Sequence, residues 1–462
     1  MHLLSEVPYQ PDTSRVFDGM ASDPWAVFLD SGRPGSEAGR YDILTSDPGT
    51  TLVTKGGFTE IRTRGGKLRR SRADPFTLLR EQMGDRESDR VSLPFGGGAV
   101  GWFSYDLARR IEQLPAHARD DEALPEMAVG IYDWALVVDH QEHRSWLVSH
   151  GRERTTHRQW WRLLHRFSAS KPRINRDPFR VIGPVTSNFD AKGYSDAFAR
   201  VHAYIRDGDC YQVNLAQRFS APARGDGWGA YTVLRERSPA PFSAFLNTPY
   251  AQILSVSPER FLQVTAGVVE TRPIKGTRPR GSSPEADSEW ARELSQSEKD
   301  RAENLMIVDL LRNDLGRVCQ AGSVRVPSLF AVEGFSNVHH LVSTVTGKLN
   351  DDQDAIGLLR ACFPGGSITG APKIRAMQII EELEPQRRGL YCGSIGYIGY
   401  EGQMDVNIAI RTMIYNQGEI RCWAGGGIVF DSTEAAEFQE TLDKATAMLS
   451  VLRHSGRIRV GG

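Results

Sequence analysis

The sequence predicts an α/β protein, and three observations carry that expectation. The first 165 or so residues read as short strands and turns with few long helical periods. Beyond them helical and strand patterns are mixed. The 462 residues also exceed one ordinary core, so two domains, or one large core split into two subdomains, are expected.

In chain order, residues 99–103 and 130–138 stand out as strands. Residues 168–178 turn polar, proline-bearing and poor in apolar side chains, which marks a linker. Residues near 192–206 read as a helix, and 253–257 as a strand ending at Pro258, which leaves Glu259 just past a strand end. A helical pattern over about 288–315 puts Ala302, Leu305, Met306 and Asp309 at the spacing of one face. Another over about 434–452 spaces Phe438, Leu442, Ala445, Leu449 and Leu452 in steps of four and three, and these five are expected to face the core. There is no internal repeat.

A formal net charge of -1 argues against a nucleic-acid or anionic-membrane partner held by bulk electrostatics, so anion recognition must be local. The five cysteines lack CxxC or zinc spacing and read as reduced core thiols of a cytoplasmic enzyme. No leader or membrane-spanning run is read. The GxxxxG of Gly365 and Gly370 is followed by Ala371 and Pro372 rather than Lys-Ser/Thr, and no strand-linked GxGxxG occurs, so ATP and dinucleotides are not expected.

Chemistry is concentrated in the second half. Lys275 stands beside Gly276 and among Arg272, Arg278 and Arg280. Partial burial and those cations would lower its pKa and make the amine a nucleophile, and the arginines would attract an anion. On its own the segment reads first as a solvated basic loop. Glu437, Glu440 and Lys444 form a polar stripe on one helix, and Asp300 and Glu303 stand three apart on another. Two carboxylate pairs converging would suit magnesium, although the same spacing is that of a solvated helix face. Glycine-rich turns are read at 365–373, 393–396 and 425–427, where bare amides could hold carboxylates. His340, in an apolar segment, reads first as a core residue.

Taken together, SPERF at 257–261, PIKGT at 273–277, the run 300–316, GSITGAPK at 366–373, AIRT at 409–412 and AGGGIV at 424–429 resemble the chorismate-utilising enzymes. Residues 127–136 and 210–217 are similar to the branch that makes 4-amino-4-deoxychorismate for p-aminobenzoate and folate. Anthranilate synthases, the nearest rival branch, carry alanine where Lys275 stands. Salicylate and isochorismate synthases use a lysine at the position of Gln212.

The resemblance implies antiparallel sheets packed face to face with helices outside and two interleaved subdomains, with an N-terminal β-rich region over 1–170 and a chorismate-binding domain over 185–455. It implies Lys275 as nucleophile and Glu259 as general acid, with a covalent lysyl intermediate. Glu303 and Glu440 would be direct Mg2+ ligands, with Glu437 and Asp300 nearby or bound through water. Gly276, Thr277, His340, Thr369, Tyr391, Arg411, Gly425, Gly426, Gly427 and Lys444 map onto substrate-contacting positions. Ammonia would come from a separate glutamine amidotransferase subunit or from solution, because no glutaminase motif is found. Relatives hold tryptophan in a second pocket, and Ser31, Arg40, Tyr41, Pro241, Phe242 and Ser243 fall at the corresponding places. A non-catalytic scaffold is the rival from another class, and intact Glu259, Lys275, Glu303 and Glu440 argue against it.

Overall fold

In a computed structural model, residues 2–87, 92–168, 176–334 and 338–454 are described, so 169–175 of the expected linker lie outside the described residues. Two large sheets form the centre, one of 13 strands and one of 12. The first runs from Leu3–Val7 at one edge through Trp134–Asp139, Ala26–Asp30, Phe242–Asn247 and Glu419–Ile428 to Gln212–Arg224 near the other. The second runs from Ile274–Pro279 through Val338–Lys348, Arg260–Thr265, Ser394–Gly399 and Gly98–Phe103 to Leu68–Ser71. Their ladders are antiparallel.

Alternation along each strand decides what it covers. Val27, Ile43 and Val137 of the first sheet share one buried cluster with Leu52, Val100 and Ile395 of the second, so these faces pack together. The neighbouring residues Phe28, Leu44 and Leu136 point the other way, into a cluster with Trp228, Tyr231, Met448 and Val451 from helices Gly227–Arg237 and Glu434–His454. Burying side chains of this size contributes about 1.5–3 kcal/mol each before entropy is counted. Early and late chain segments are partners within each sheet: Ala26–Asp30 pairs with Phe242–Asn247, and Gly98–Phe103 with Ser394–Gly399.

The structure corrects three expectations. Residues 130–138 are two strands in different sheets, because the chain crosses at Asp133, whose buried carboxylate accepts the amides of Arg152 and Glu153. The 288–315 pattern is two helices, Pro284–Gln296 and Glu298–Gly316, divided where Ser297 caps the second by accepting from the Asp300 amide. The buried stripe of that second helix is Asn304, Ile307, Val308, Leu311 and Leu315, whereas Leu305 is 45% exposed. In the last helix Ala445 and Leu452 are buried as expected, but Phe438, Leu442 and Leu449 are only partly so. Glu437 and Thr441 take the inner position there, because that end of the helix faces a polar site rather than the apolar core. The five cysteines are buried and free.

Candidate active site

Lys275 lies on strand Ile274–Pro279, half-buried, with its ammonium group 3.5 Å from the carbonyl oxygen of Ser367. Burial pushes its pKa down, and Lys444 adds to this, while Glu303, Glu259 and Glu440 oppose it. The arginines expected to do so point elsewhere. Arg272 pairs with Glu333, Arg278 with Glu293 and Asp300, and Arg280 with Asp287. Of the two expected causes, burial therefore acts and the neighbouring arginines do not, and the arginines are not free to attract an anion.

Gly276 makes this placement possible. Its φ of 75° is in the left-handed region, and the ladder to Val338–Lys348 shifts register there. A Cβ would stand 2.9 Å from Asp300 Cγ and 2.8 Å from Leu294 Cδ1, so glycine lets helices Pro284–Gln296 and Glu298–Gly316 both come this close.

Glu259 occupies the turn between strands Gln252–Ser257 and Arg260–Thr265, 6% exposed. Its Oε1 accepts a 2.7 Å hydrogen bond from Ser367 Oγ. Burial raises its pKa, outweighing Ser367, Lys275 and Lys444, which lower it. Ser367 thus touches both groups, through its hydroxyl to the acid and its carbonyl to the amine. A carboxyl whose pKa is raised beside an amine whose pKa is lowered is the pairing that addition with loss of a hydroxyl requires.

Around this pair stand the other expected residues. His340 is buried, hydrogen-bonded at 3.0 Å between Nδ1 and Thr277 Oγ1, and held neutral with a pKa pushed down to about 4 by burial and by Arg411. Arg411, at φ 48°, is itself lowered by burial against the attraction of Glu259. Thr369 is buried and its hydroxyl bonds the carbonyls of Gly365 and Gly366, so it braces the loop that carries Ser367. Tyr391 is buried and stacks on Trp423 at 6.1 Å.

Gly425, Gly426 and Gly427 are not a turn of bare amides. They lie within strand Glu419–Ile428, opposite Ala216, Leu215 and Asn214. Glycine is required there because a Cβ would stand 2.7 Å from Leu215 O, 2.7 Å from Glu437 Oε2 and 2.5 Å from Gln212 Nε2 respectively.

The carboxylates come from two helices. Glu303 feels Glu440 and both feel Lys275, so they share one space with that amine. Burial raises Glu303, with Lys275 and Lys299 opposing. For Glu440 burial is outweighed by Lys444, Lys275 and Lys299, which hold it low. Glu437 is raised by burial despite the 2.7 Å bond from Ser432 Oγ, and its Oε2 is buried with no hydrogen-bond partner among the described residues. Asp300 is taken by Arg278 at 3.1 Å. Among the described residues no three acidic, histidine or cysteine side chains already stand at metal-holding distance. The orphaned Glu437 oxygen and the all-oxygen donor set nevertheless fit a hard divalent cation.

Residues 35–450 match the model of the chorismate binding enzymes. The chain belongs to that family. It is 50% identical over 453 residues to aminodeoxychorismate synthase component 1 of Klebsiella aerogenes, covering 97% of this chain and 98% of that protein. The Bacillus subtilis (strain 168) protein of the same name is 39% identical, covering 97% of each. Among solved structures, anthranilate synthase component I from Streptococcus pneumoniae TIGR4 superposes with a TM-score of 0.80 at 33% identity, covering 90% of this chain and 92% of that one.

Within the chorismate-binding scaffold a cavity of about 930 Å3 has no Lys275 in its lining. It is lined by Arg40, Tyr41, Pro241, Phe242 and Ser243 of the expected tryptophan pocket, whereas Ser31 is buried and not part of the lining. Asp42 accepts the Ser31 amide at 2.7 Å. Three residues near the chemistry escaped the sequence reading as site members. Ser367 was legible only as part of a glycine-rich motif. Lys299, 3.9 Å from Glu303, looked like any helical surface lysine. Gln212 served only as a branch marker, yet its buried carboxamide has no hydrogen-bond partner among the described residues and abuts Gly427. No described helix is long and apolar enough to cross a membrane.

Proposed function

We propose that this protein is component 1 of an aminodeoxychorismate synthase, converting chorismate and ammonia to 4-amino-4-deoxychorismate in the cytoplasm, on the way to p-aminobenzoate and folate. The observation that carries the reading is the Lys275–Ser367–Glu259 arrangement: an amine with a lowered pKa and a carboxyl with a raised one on a single serine. Sequence identity of 39–50% to proteins of that name supports it.

Lys275 Nζ forms a bond to ring carbon C2, the diene electrons shift, and the C4–O bond breaks as Glu259 protonates the departing hydroxyl. Ammonia then forms a bond at C4, the electrons return, and the C2–N bond to Lys275 breaks, leaving the pyruvyl ether intact. Arg411 and neutral His340 with Thr277 line the substrate's position, and Lys444 with Gly425, Gly426 and Gly427 closes the other side. A Mg2+ ion held by Glu303 and Glu440, with Glu437 beside them and Asp300 behind, would place positive charge against the ring carboxylate. Ammonia is supplied by a glutamine amidotransferase subunit. The cavity at Arg40, Tyr41 and Phe242 takes tryptophan. The N-terminal region 1–170 and the catalytic region 185–455 share both sheets.

The test is incubation with chorismate, Mg2+ and ammonium, with the product identified by mass. Aminodeoxychorismate is expected; anthranilate with pyruvate, or unchanged chorismate, would overturn the reading.

A further inference from the structure

The carboxylates that reach the nucleophile are not left uncompensated. Lys444 Nζ stands 2.6 Å from Glu440 Oε1 and donates to Gly425 O at 3.0 Å. Lys299 Nζ stands 3.9 Å from Glu303 Oε1, and its charge is also felt by Glu437 and Glu440 on the other helix. Two ammonium groups carry the charge of one divalent cation. We propose that Lys299 and Lys444 are the site's internal counter-ions: they occupy the carboxylate cluster in place of the divalent cation and leave it when the cation binds.

Geometry makes the two states exclusive. An oxygen that ligates a small cation at about 2.0–2.1 Å cannot also hold an ammonium at ion-pair distance without bringing like charges together. The lysine side chains are 56% and 44% exposed, so each has a path outward. Glu437 Oε2 marks where the lysines fall short. It is buried without a hydrogen-bond partner among the described residues, and it faces the same Gly426 position as Glu440, 2.7 Å and 3.5 Å from where a Cβ would sit. An i,i+4 Glu–Lys pair on a solvated helix face leaves no such orphan. The exchange has a consequence for order of binding. Once displaced from Glu440, the Lys444 ammonium remains next to Gly425 and is released to meet an anion, so cation and anionic substrate favour each other's binding.

This proposal rests on the metal reading given above, and the experiment separates the two. Mn2+ alone is titrated into the full-length, substrate-free protein, with free Mn2+ followed by electron paramagnetic resonance. Lys299→Met and Lys444→Met are each expected to bind Mn2+ roughly two- to fivefold more tightly than the wild type, the scale of a partly exposed ion pair. The Lys299→Arg and Lys444→Arg variants, which keep the charge, are expected to stay near wild type. Unchanged or weaker binding by both methionine variants, with wild-type circular dichroism and melting, would overturn the proposal. Glu440→Gln is run in parallel and should lose affinity. Equal binding by Glu440→Gln and wild type would overturn the metal reading itself, and the counter-ion role with it.

Discussion

Glu259 and Lys275 are shifted in opposite senses by the same cause. Burial disfavours whichever form is charged, so the carboxyl keeps its proton to higher pH and the amine loses its proton at lower pH. The productive state needs Glu259 protonated and Lys275 neutral, so a raised carboxyl pKa and a lowered amine pKa both enlarge the share of enzyme in that state near neutral pH. Ser367 tunes one limb. Its hydrogen bond favours the carboxylate, so Ser367→Ala should raise the Glu259 pKa further and move the limb governed by that acid to higher pH in a kcat/KM profile. An unmoved limb would remove Ser367 from the account. Glu259→Gln, which cannot donate a proton to the leaving hydroxyl, should lower kcat by roughly 10²–10⁴-fold with substrate binding largely kept, as read from steady-state kinetics.

At the scale of elements, the site depends on where helices begin and how closely they approach strands. Ser297 ends one helix and starts the next, which aims Asp300 and Glu303 at strand Ile274–Pro279. Loss of that cap in Ser297→Ala should lower stability by about 1 kcal/mol in denaturant unfolding. The sequence announced the helical run and both carboxylates. It did not announce the break, because a serine at that place satisfies a helix interior and a cap equally well until packing decides. The same ambiguity hid the turn of residues 130–138 from one sheet into the other, where every residue around Asp133 has strand character. For helix Glu434–His454 the apolar period was real, but a stripe chosen for hydrophobicity misses a helix whose inner face carries Glu437 and Thr441. The triple glycine was legible as important and misread as a turn, since a strand needing three missing Cβ atoms is recognisable only once Glu437 and Gln212 are seen behind it.

Across the whole molecule, one buried pair ties the active-site loop to both the sheet and a helix. Arg388, 1% exposed, bonds Glu384 at 2.7 Å, Ile368 O at 2.9 Å and Asn214 O at 2.8 Å. Removing the carboxylate charge leaves an uncompensated guanidinium in the core, so Glu384→Gln should cost about 3 kcal/mol, measured by chemical denaturation. Motifs carried most of the site because the reacting residues sit within short contiguous segments, and they predicted which residues meet. They did not show which of the two expected causes lowers the Lys275 pKa. The neighbouring arginines are adjacent in sequence and committed elsewhere in space, and groups that stand at the amine instead come from parts of the chain far away, the Ser367 loop and the Glu434–His454 helix. The most direct measurement of the central claim is intact-protein mass spectrometry after rapid quench of enzyme with chorismate in the absence of ammonia. The wild type should carry an adduct equal to chorismate less water, mapped to Lys275, and Lys275→Ala should carry none. A fully active wild type without that adduct, or a Lys275→Ala variant with undiminished amination, would contradict the account.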